Sequence, residues 1–161
     1  MTIEISVIVA AYNSQDYIGR CLRSLIDQSI SKDKYEIVIV NDGSEDFTDY
    51  ALSLFKNPSD SLIKVIKNER NLGLPASLNK GIELSKGNLI VRVDSDDYVN
   101  RNFLAALRLY LDVYKDISAV ACDYILVDKF ENILEVISSK DHPIACGIMF
   151  RKDKLIDIGL Y

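Results

Sequence analysis

Two nearly unbroken apolar runs, Ile3 to Ala10 and Tyr35 to Val40, constrain this chain more than any other feature. A strand with one wet face alternates apolar and polar residues. A strand that is apolar on successive residues must be covered on both faces, which is the condition of a parallel sheet between helices. Leu89 to Val93 is a third such run, and Leu62 to Lys67 is a fourth strand in which Lys64 and Lys67 suit a more exposed edge position.

Helical periodicity fills the gaps. Ile18, Cys21, Leu22, Leu25 and Ile26 follow the spacing of one helix face, with Asn13 or Ser14 as the N-cap and Asp16 in the first turn. Phe47, Tyr50, Ala51, Leu54 and Phe55 repeat the pattern, and Pro58 follows to stop the helix. Pro75 opens a third helix through Leu78 and Ile82 that ends near Gly87. A fourth begins near Arg101 and points Phe103, Leu107, Tyr110, Leu111 and Tyr114 inward. Strand and helix therefore alternate four times, which predicts an α/β fold: a Rossmann-like, mostly parallel sheet flanked by helices. Ile117 to Asp128 then reads as a strand, Ile133 to Ser138 as its hairpin partner, and Asp153 to Ile158 as a short helix.

At 161 residues the chain suits one domain, and its 48% apolar and 27% charged composition is that of a soluble globular protein. A net charge of −5 argues against nucleic-acid binding, which needs a basic face. No apolar run is long enough to span a membrane, and Glu4 interrupts the short apolar stretch that a signal peptide would need. The expectation is a cytoplasmic protein. Cys21, Cys122 and Cys146 lack zinc-ligand spacing and read as reduced core residues.

In an open parallel sheet, ligands bind beyond the carboxyl ends of the strands. Tyr12 and Asn13 follow the first strand, Asn41-Asp42-Gly43-Ser44 the second, and Asp94-Ser95-Asp96-Asp97 the fourth. Each segment has an ordinary reading as a boundary aromatic, a turn with Gly43 at positive φ, or an Asp-rich turn. Their shared placement at one rim is what those readings do not predict. In an extended backbone Asp94 and Asp96 point the same way. Two carboxylates about 5 Å apart repel by roughly 3 kcal/mol at an effective dielectric near 20. A divalent cation shared with a substrate diphosphate would offset that cost. A tyrosine ring can stack on a nucleobase, Asp42 can accept a base or ribose hydrogen bond, and Asp94 can reach a ribose hydroxyl.

These segments carry a family resemblance. Ser6-Val7-Ile8-Val9-Ala10-Ala11-Tyr12-Asn13, Glu36-Ile37-Val38-Ile39-Val40-Asn41-Asp42-Gly43-Ser44, Asn71-Leu72-Gly73, Leu78-Asn79-Lys80-Gly81-Ile82 and Val93-Asp94-Ser95-Asp96-Asp97 resemble, in order, the family 2 glycosyltransferases of GT-A fold. The resemblance implies a nucleotide-diphosphate sugar donor, taken as a UDP-sugar, and Mn2+ or Mg2+. It assigns Ala10, Tyr12 and Asp42 to the base, Asp94 and Ser95 to the ribose or sugar, and Asp96 to the metal. It also implies inverting transfer to a glycan or lipid-linked acceptor in cell-surface polysaccharide synthesis. Peripheral attachment at the inner face of a membrane and self-association are compatible with it. Residues 1–97 would form the nucleotide-binding half and 98–161 part of the acceptor-side half.

The chain departs from the family pattern at Asn41, where the usual first residue is Asp, and at Leu78, where many members carry Arg; Arg70 or Lys80 are the available substitutes. The family's acidic motif with the catalytic base has no match before Tyr161. His142 and the Asp153/Asp157 pair are not assigned that role, so the catalytic base is unidentified. The competing expectation is a nucleotide-sugar-binding fragment or interaction module that needs a further segment or a partner for transfer.

Overall fold

The computed structural model describes residues 2–56 and 61–161. Its strands are β1 (Ile5–Ala11), β2 (Tyr35–Asn41), β3 (Ile63–Lys67), β4 (Leu89–Arg92), β5 (Ala119–Ala121), β6 (Tyr124–Val127), β7 (Ile133–Ile137) and β8 (Ile148–Arg151). The helices are α1 (Ile18–Ile26), α2 (Thr48–Ser53), α3 (Leu74–Glu83), α4 (Phe103–Val113) and α5 (Lys152–Asp157). The main sheet has the order β3-β2-β1-β4-β8-β5, and β6 and β7 form a separate two-stranded sheet.

The two apolar runs occupy the centre. β1 pairs in parallel with β2 and with β4, Val7 standing between Ile37 and Val91. Every residue of β2 is buried, and β3 is an edge strand, with β5 at the other edge. One face packs Val7, Val9, Ile37 and Val91 against Leu22, Leu25, Leu104 and Leu107 of α1 and α4. The other packs Ile8, Val38 and Ile90 against Leu78 and Ile82 of α3 and Leu155 of α5. Within the main sheet β8 runs antiparallel to both of its neighbours, β4 and β5. Because β2 and β3 lie on one side of β1 and β4 on the other, the order reverses at β1. The crevice beyond the ends of β1 and β4 is therefore the topological switch point.

Several local expectations are corrected. Neither Asn13 nor Ser14 caps α1: the helix starts after Tyr17 with no side-chain cap and no acidic residue in its first turn. Asn13 instead takes a left-handed φ of 49° and bonds across the rim. In α2 the buried residues are Thr48 and Leu52, while Phe47, Tyr50 and Leu54 are exposed. Leu52 and Ala51 of this six-residue helix, with Phe55 just after it, pack against the core, and the Thr48 hydroxyl accepts the Ser14 N–H. Pro58 lies outside the described residues. Tyr110 of α4 and Tyr114 just after it do not point inward; they are about half exposed, and their tilted rings pack with centres 4.6 Å apart. The expected strand over Ile117 to Asp128 is broken after Ala121, its two halves joining different sheets. The β6–β7 hairpin and α5 form as expected.

Gly87 does not end a helix, since α3 stops at Glu83. It lies where the chain crosses the start of β1. There its N–H donates to Ser6 Oγ at 2.8 Å, and Ser6 in turn donates to Glu36 Oε1 at 2.7 Å. A Cβ on Gly87 would stand 2.6 Å from Ser6 N and 2.7 Å from Ile5 C. Those obstacles are backbone in the central strand and cannot rotate away. Gly87→Ala is expected to cost about 2–3 kcal/mol, the upper range for overpacking a core. That corresponds to a fall in Tm of about 5–10 °C in thermal unfolding; an unchanged Tm would show that the crossing is loose.

Candidate functional site

The three polar segments meet at the switch point and are bonded to one another. Asn13 N–H donates to Ser44 Oγ at 3.0 Å, and Asn13 Oδ1 accepts the Glu45 N–H at 3.0 Å, tying the end of β1 to that of β2. Ser14 Oγ lies 2.8 Å from Ser95 Oγ, tying the end of β1 to the acidic turn after β4. Ser14 also donates to the Tyr12 carbonyl at 3.2 Å. Tyr12 is left 45% exposed over this crevice, a surface on which a planar ring can stack. Ala10 is half-buried in the last turn of the pleat of β1.

Asp42 is placed differently from an open binding residue. It is buried, and its Oδ1 accepts from Asn68 Nδ2 at 2.8 Å and Leu72 N–H at 2.9 Å, its Oδ2 from Gly73 N–H at 2.9 Å. Burial pushes its pKa up, but the donors from Asn68, Leu72, Ser77 and Gly73 outweigh that and hold it below the usual carboxylate value. Asn68 is itself gripped by Lys80 Nζ at 2.6 Å. Asp42 is thus the anchor of the 68–73 loop. Gly43 has the expected positive φ, 70°, and a Cβ there would meet the Arg70 backbone. Lys67, Asn68, Glu69, Arg70, Leu72 and Lys80 line a shallow recess of about 340 Å³ beside this anchor. Leu78 does not face it, being buried among the α3 core residues.

The acidic segment is a turn rather than a strand continuation. β4 ends at Arg92, and Asp97 N–H donates to the Asp94 carbonyl at 3.1 Å. The two-residue alternation that would align Asp94 with Asp96 therefore does not hold. Asp94 is instead held by Arg92, Nε to Oδ1 at 2.6 Å and Nη2 to Oδ2 at 2.9 Å. Ligand atoms of Asp94, Asp97 and Cys146 lie within 4.8 Å of one another, and the Cys146 thiol donates to Asp97 Oδ2 at 3.2 Å. Cys146 is thus a rim residue and not a core one.

Partial withdrawal from solvent raises the Asp97 pKa. Negative Asp96 and Asp94 add to this, against the Cys146 hydrogen bond and the Arg20 cation. Cys21 lies buried beneath the turn, its thiol pushed up to about 12 by burial and by these aspartates, and it donates to the Asp94 carbonyl at 3.6 Å. Among the described residues, no hydrogen bond or ion pair engages the exposed Asp96 carboxylate; its carbonyl accepts from Arg20 Nη2 at 3.0 Å. Arg20 also caps the Tyr98 ring at 4.4 Å and pairs with Glu131 at the hairpin tip.

The donor set fits a hard divalent cation. Asp96 offers a solvent-facing carboxylate that meets no partner among the described residues, while the Asp97 carboxylate, in the same turn, lies with Asp94 and Cys146. Oxygen ligands of this kind suit Mg2+ or Mn2+ when a substrate supplies the remaining ones. His142 sits in an exposed loop, and Asp153 and Asp157 are exposed on α5. Sequence reasoning missed Arg92, Arg20, Asn68 and Cys146. A signal existed for Arg92: it is the one charge in an otherwise apolar run that must be buried on both faces.

The sequence model for "Glycosyl transferase family 2" matches residues 6–157. An uncharacterized glycosyltransferase of Haemophilus influenzae is 35% identical over 156 residues, covering 96% of this chain and 42% of the relative. The Staphylococcus aureus protein TarS, solved in complex with UDP-GlcNAc, superposes with a TM-score of 0.82 at 25% identity, over 99% of this chain and 48% of the other. A mannosyltransferase of Pyrobaculum calidifontis, in complex with GDP-Man and Mn2+, superposes at 0.80 with 22% identity, over all of this chain and 48% of the other. The sheet and its flanking helices are those of the GT-A fold. The chain spans about half the length of these solved neighbours and less than half of that relative. No helix among the described residues is long and apolar enough to cross a membrane.

Proposed function

This chain belongs to glycosyl transferase family 2, and from that premise we propose that it holds a nucleotide-diphosphate sugar, a UDP-sugar, for transfer to a glycan or lipid-linked acceptor. The observation that carries this reading is the joining of the Tyr12, Asp42 and Asp94–Asp97 segments at the switch point through Asn13–Ser44 and Ser14–Ser95. Tyr12 stacks on the base beside Ala10. The 68–73 loop, held by Asp42, forms the other wall of the base site, with Oδ2 keeping one lone pair for a base donor. Asp94 and Ser95 accept ribose or sugar hydroxyls. Asp96, with Asp97 beside it, holds the metal. When bound, Mn2+ or Mg2+ supplies Lewis-acid stabilisation of charge on the leaving diphosphate. The UDP-GlcNAc and GDP-Man complexes of the two structural neighbours support a nucleotide-sugar ligand. A poly(ribitol-phosphate) β-N-acetylglucosaminyltransferase, TarS, among the relatives supports a role in cell-surface polymer synthesis. A lipid-linked acceptor would put the reaction at the inner face of a membrane, with the protein cytoplasmic and peripheral. Inversion of configuration belongs to the same proposal and requires an acceptor-side base.

A second reading has its own observation. The chain spans about half of its structural neighbours, and its sequence offers no match to the family's acidic acceptor-side motif. It would then bind the donor and leave transfer to a further segment or partner. Sugar release from a UDP-sugar, followed in the 161-residue chain and in a longer chain, separates the two. Transfer by this chain alone establishes the first reading; donor binding without turnover, with turnover in the longer chain, establishes the second.

A further inference from the structure

Arg92 is the last residue of β4, in a sheet position flanked by β1 and β8. Its side chain is only 13% exposed. The guanidinium is confined on several sides. Its Nε and Nη2 fork onto both oxygens of Asp94, and its Cζ lies 5.9 Å from the centre of the Tyr161 ring; the Arg92 main-chain carbonyl separately accepts the Gly147 N–H at 3.0 Å. Tyr161 is fixed in turn by two backbone bonds to the Asn79 side chain, each 3.0 Å. Such a fork is the most directional ion pair available to a protein, and a lysine cannot reproduce it.

The pairing has a consequence for its neighbours. Asp94 keeps lone pairs on its outer edge, where a hydroxyl can donate to it. A carboxylate already facing a guanidinium is, however, a poor ligand for a second cation, because the two positive charges repel across it. Asp96, two residues on, has no such partner among the described residues. We propose that Arg92 is a positioning residue that reserves Asp94 for a hydroxyl of the donor and leaves the divalent metal to Asp96. This rests on the donor-binding reading above, which already divides the work between Asp94 and Asp96, and adds to it the one buried cation that sets the division.

The proposal demands effects of opposite sign. In Arg92→Gln, Asp94 is released and the turn loses a positive charge, so Mn2+ alone should bind about fivefold tighter, the scale of one unit charge a few ångströms away in a wet site. UDP at saturating Mn2+ should bind about tenfold weaker, because Asp94 is no longer held for the hydroxyl. Free Mn2+ measured by electron paramagnetic resonance gives the first quantity and calorimetry with UDP the second. In Arg92→Gln combined with Asp94→Asn, the gain in Mn2+ affinity should vanish. Arg92→Lys keeps the charge and loses the fork. It should leave Mn2+ binding within twofold of wild type and still weaken UDP several-fold, a result readable even where the glutamine variant folds poorly. Mn2+ and UDP affinities that fall together in Arg92→Gln would mark Arg92 as merely structural and overturn the proposal, as would both staying at wild-type values. A wild-type chain that binds no UDP overturns the donor reading along with it.

Discussion

Replacing Asp42 with alanine is expected to destabilise the fold by about 3–5 kcal/mol, because Asn68, Leu72 and Gly73 lose their acceptor at once and two of those donors are backbone N–H groups. The loss should be read by denaturant unfolding at pH 7, where the native carboxylate is ionised. Its pH dependence has a definite sign. Asp42 is held below its ordinary value of 3.8 in the folded chain, so its contribution is fully present above that pH. The contribution is lost as pH falls through the folded pKa, and the gap between wild type and variant should close there. Binding should suffer as well. A loosened 68–73 loop disturbs the base wall, so uridine and UDP should both weaken. A variant of wild-type stability that loses only uridine affinity would return Asp42 to the role of a simple base contact.

Asp96→Ala is expected to have the largest effect on the ligand. The exposed carboxylate of Asp96 bears no hydrogen bond among the described residues, so its removal should leave the melting temperature within a degree or two, the usual result for a surface substitution. UDP affinity in the presence of Mn2+ should fall at least about 100-fold, equivalent to roughly 3 kcal/mol, as expected when a metal that bridges a diphosphate loses its protein ligand. The contrast with Asp42 is the informative part. One aspartate holds the loop and the other is free for a ligand, although both stand in short acidic segments at the same rim. Equal destabilisation in the two variants would show that Asp96 also serves the fold.

The central sheet was legible because strands covered on both faces leave an unmistakable trace: Val7 to Val9 and Ile37 to Val40 admit no polar residue, and no other arrangement hides them. The rim was legible for the same reason, since the residues after each strand end must lie together once the strands are parallel. What failed was local. Phe47, Tyr50 and Leu54 have helical spacing, but spacing does not say which way a six-residue helix faces. Asp94 and Asp96 alternate only while the backbone stays extended, and the chain turns at Asp94. The Arg92–Asp94 fork was hidden by a different limit. A charge inside an apolar strand announces that a partner exists, and only the fold says which carboxylate it is. Cys146 is the extreme case, brought to Asp97 by β8 from 49 positions away.

The central claim is that the acidic turn binds a nucleotide diphosphate through a divalent metal held by Asp96. Calorimetry of the 161-residue chain with UDP, in Mn2+ and then in excess chelator, tests it most directly. The account predicts binding with the metal, a loss of at least about 100-fold on chelation, and the same loss in Asp96→Ala without chelator. Equal UDP affinity in Mn2+ and in chelator would contradict it.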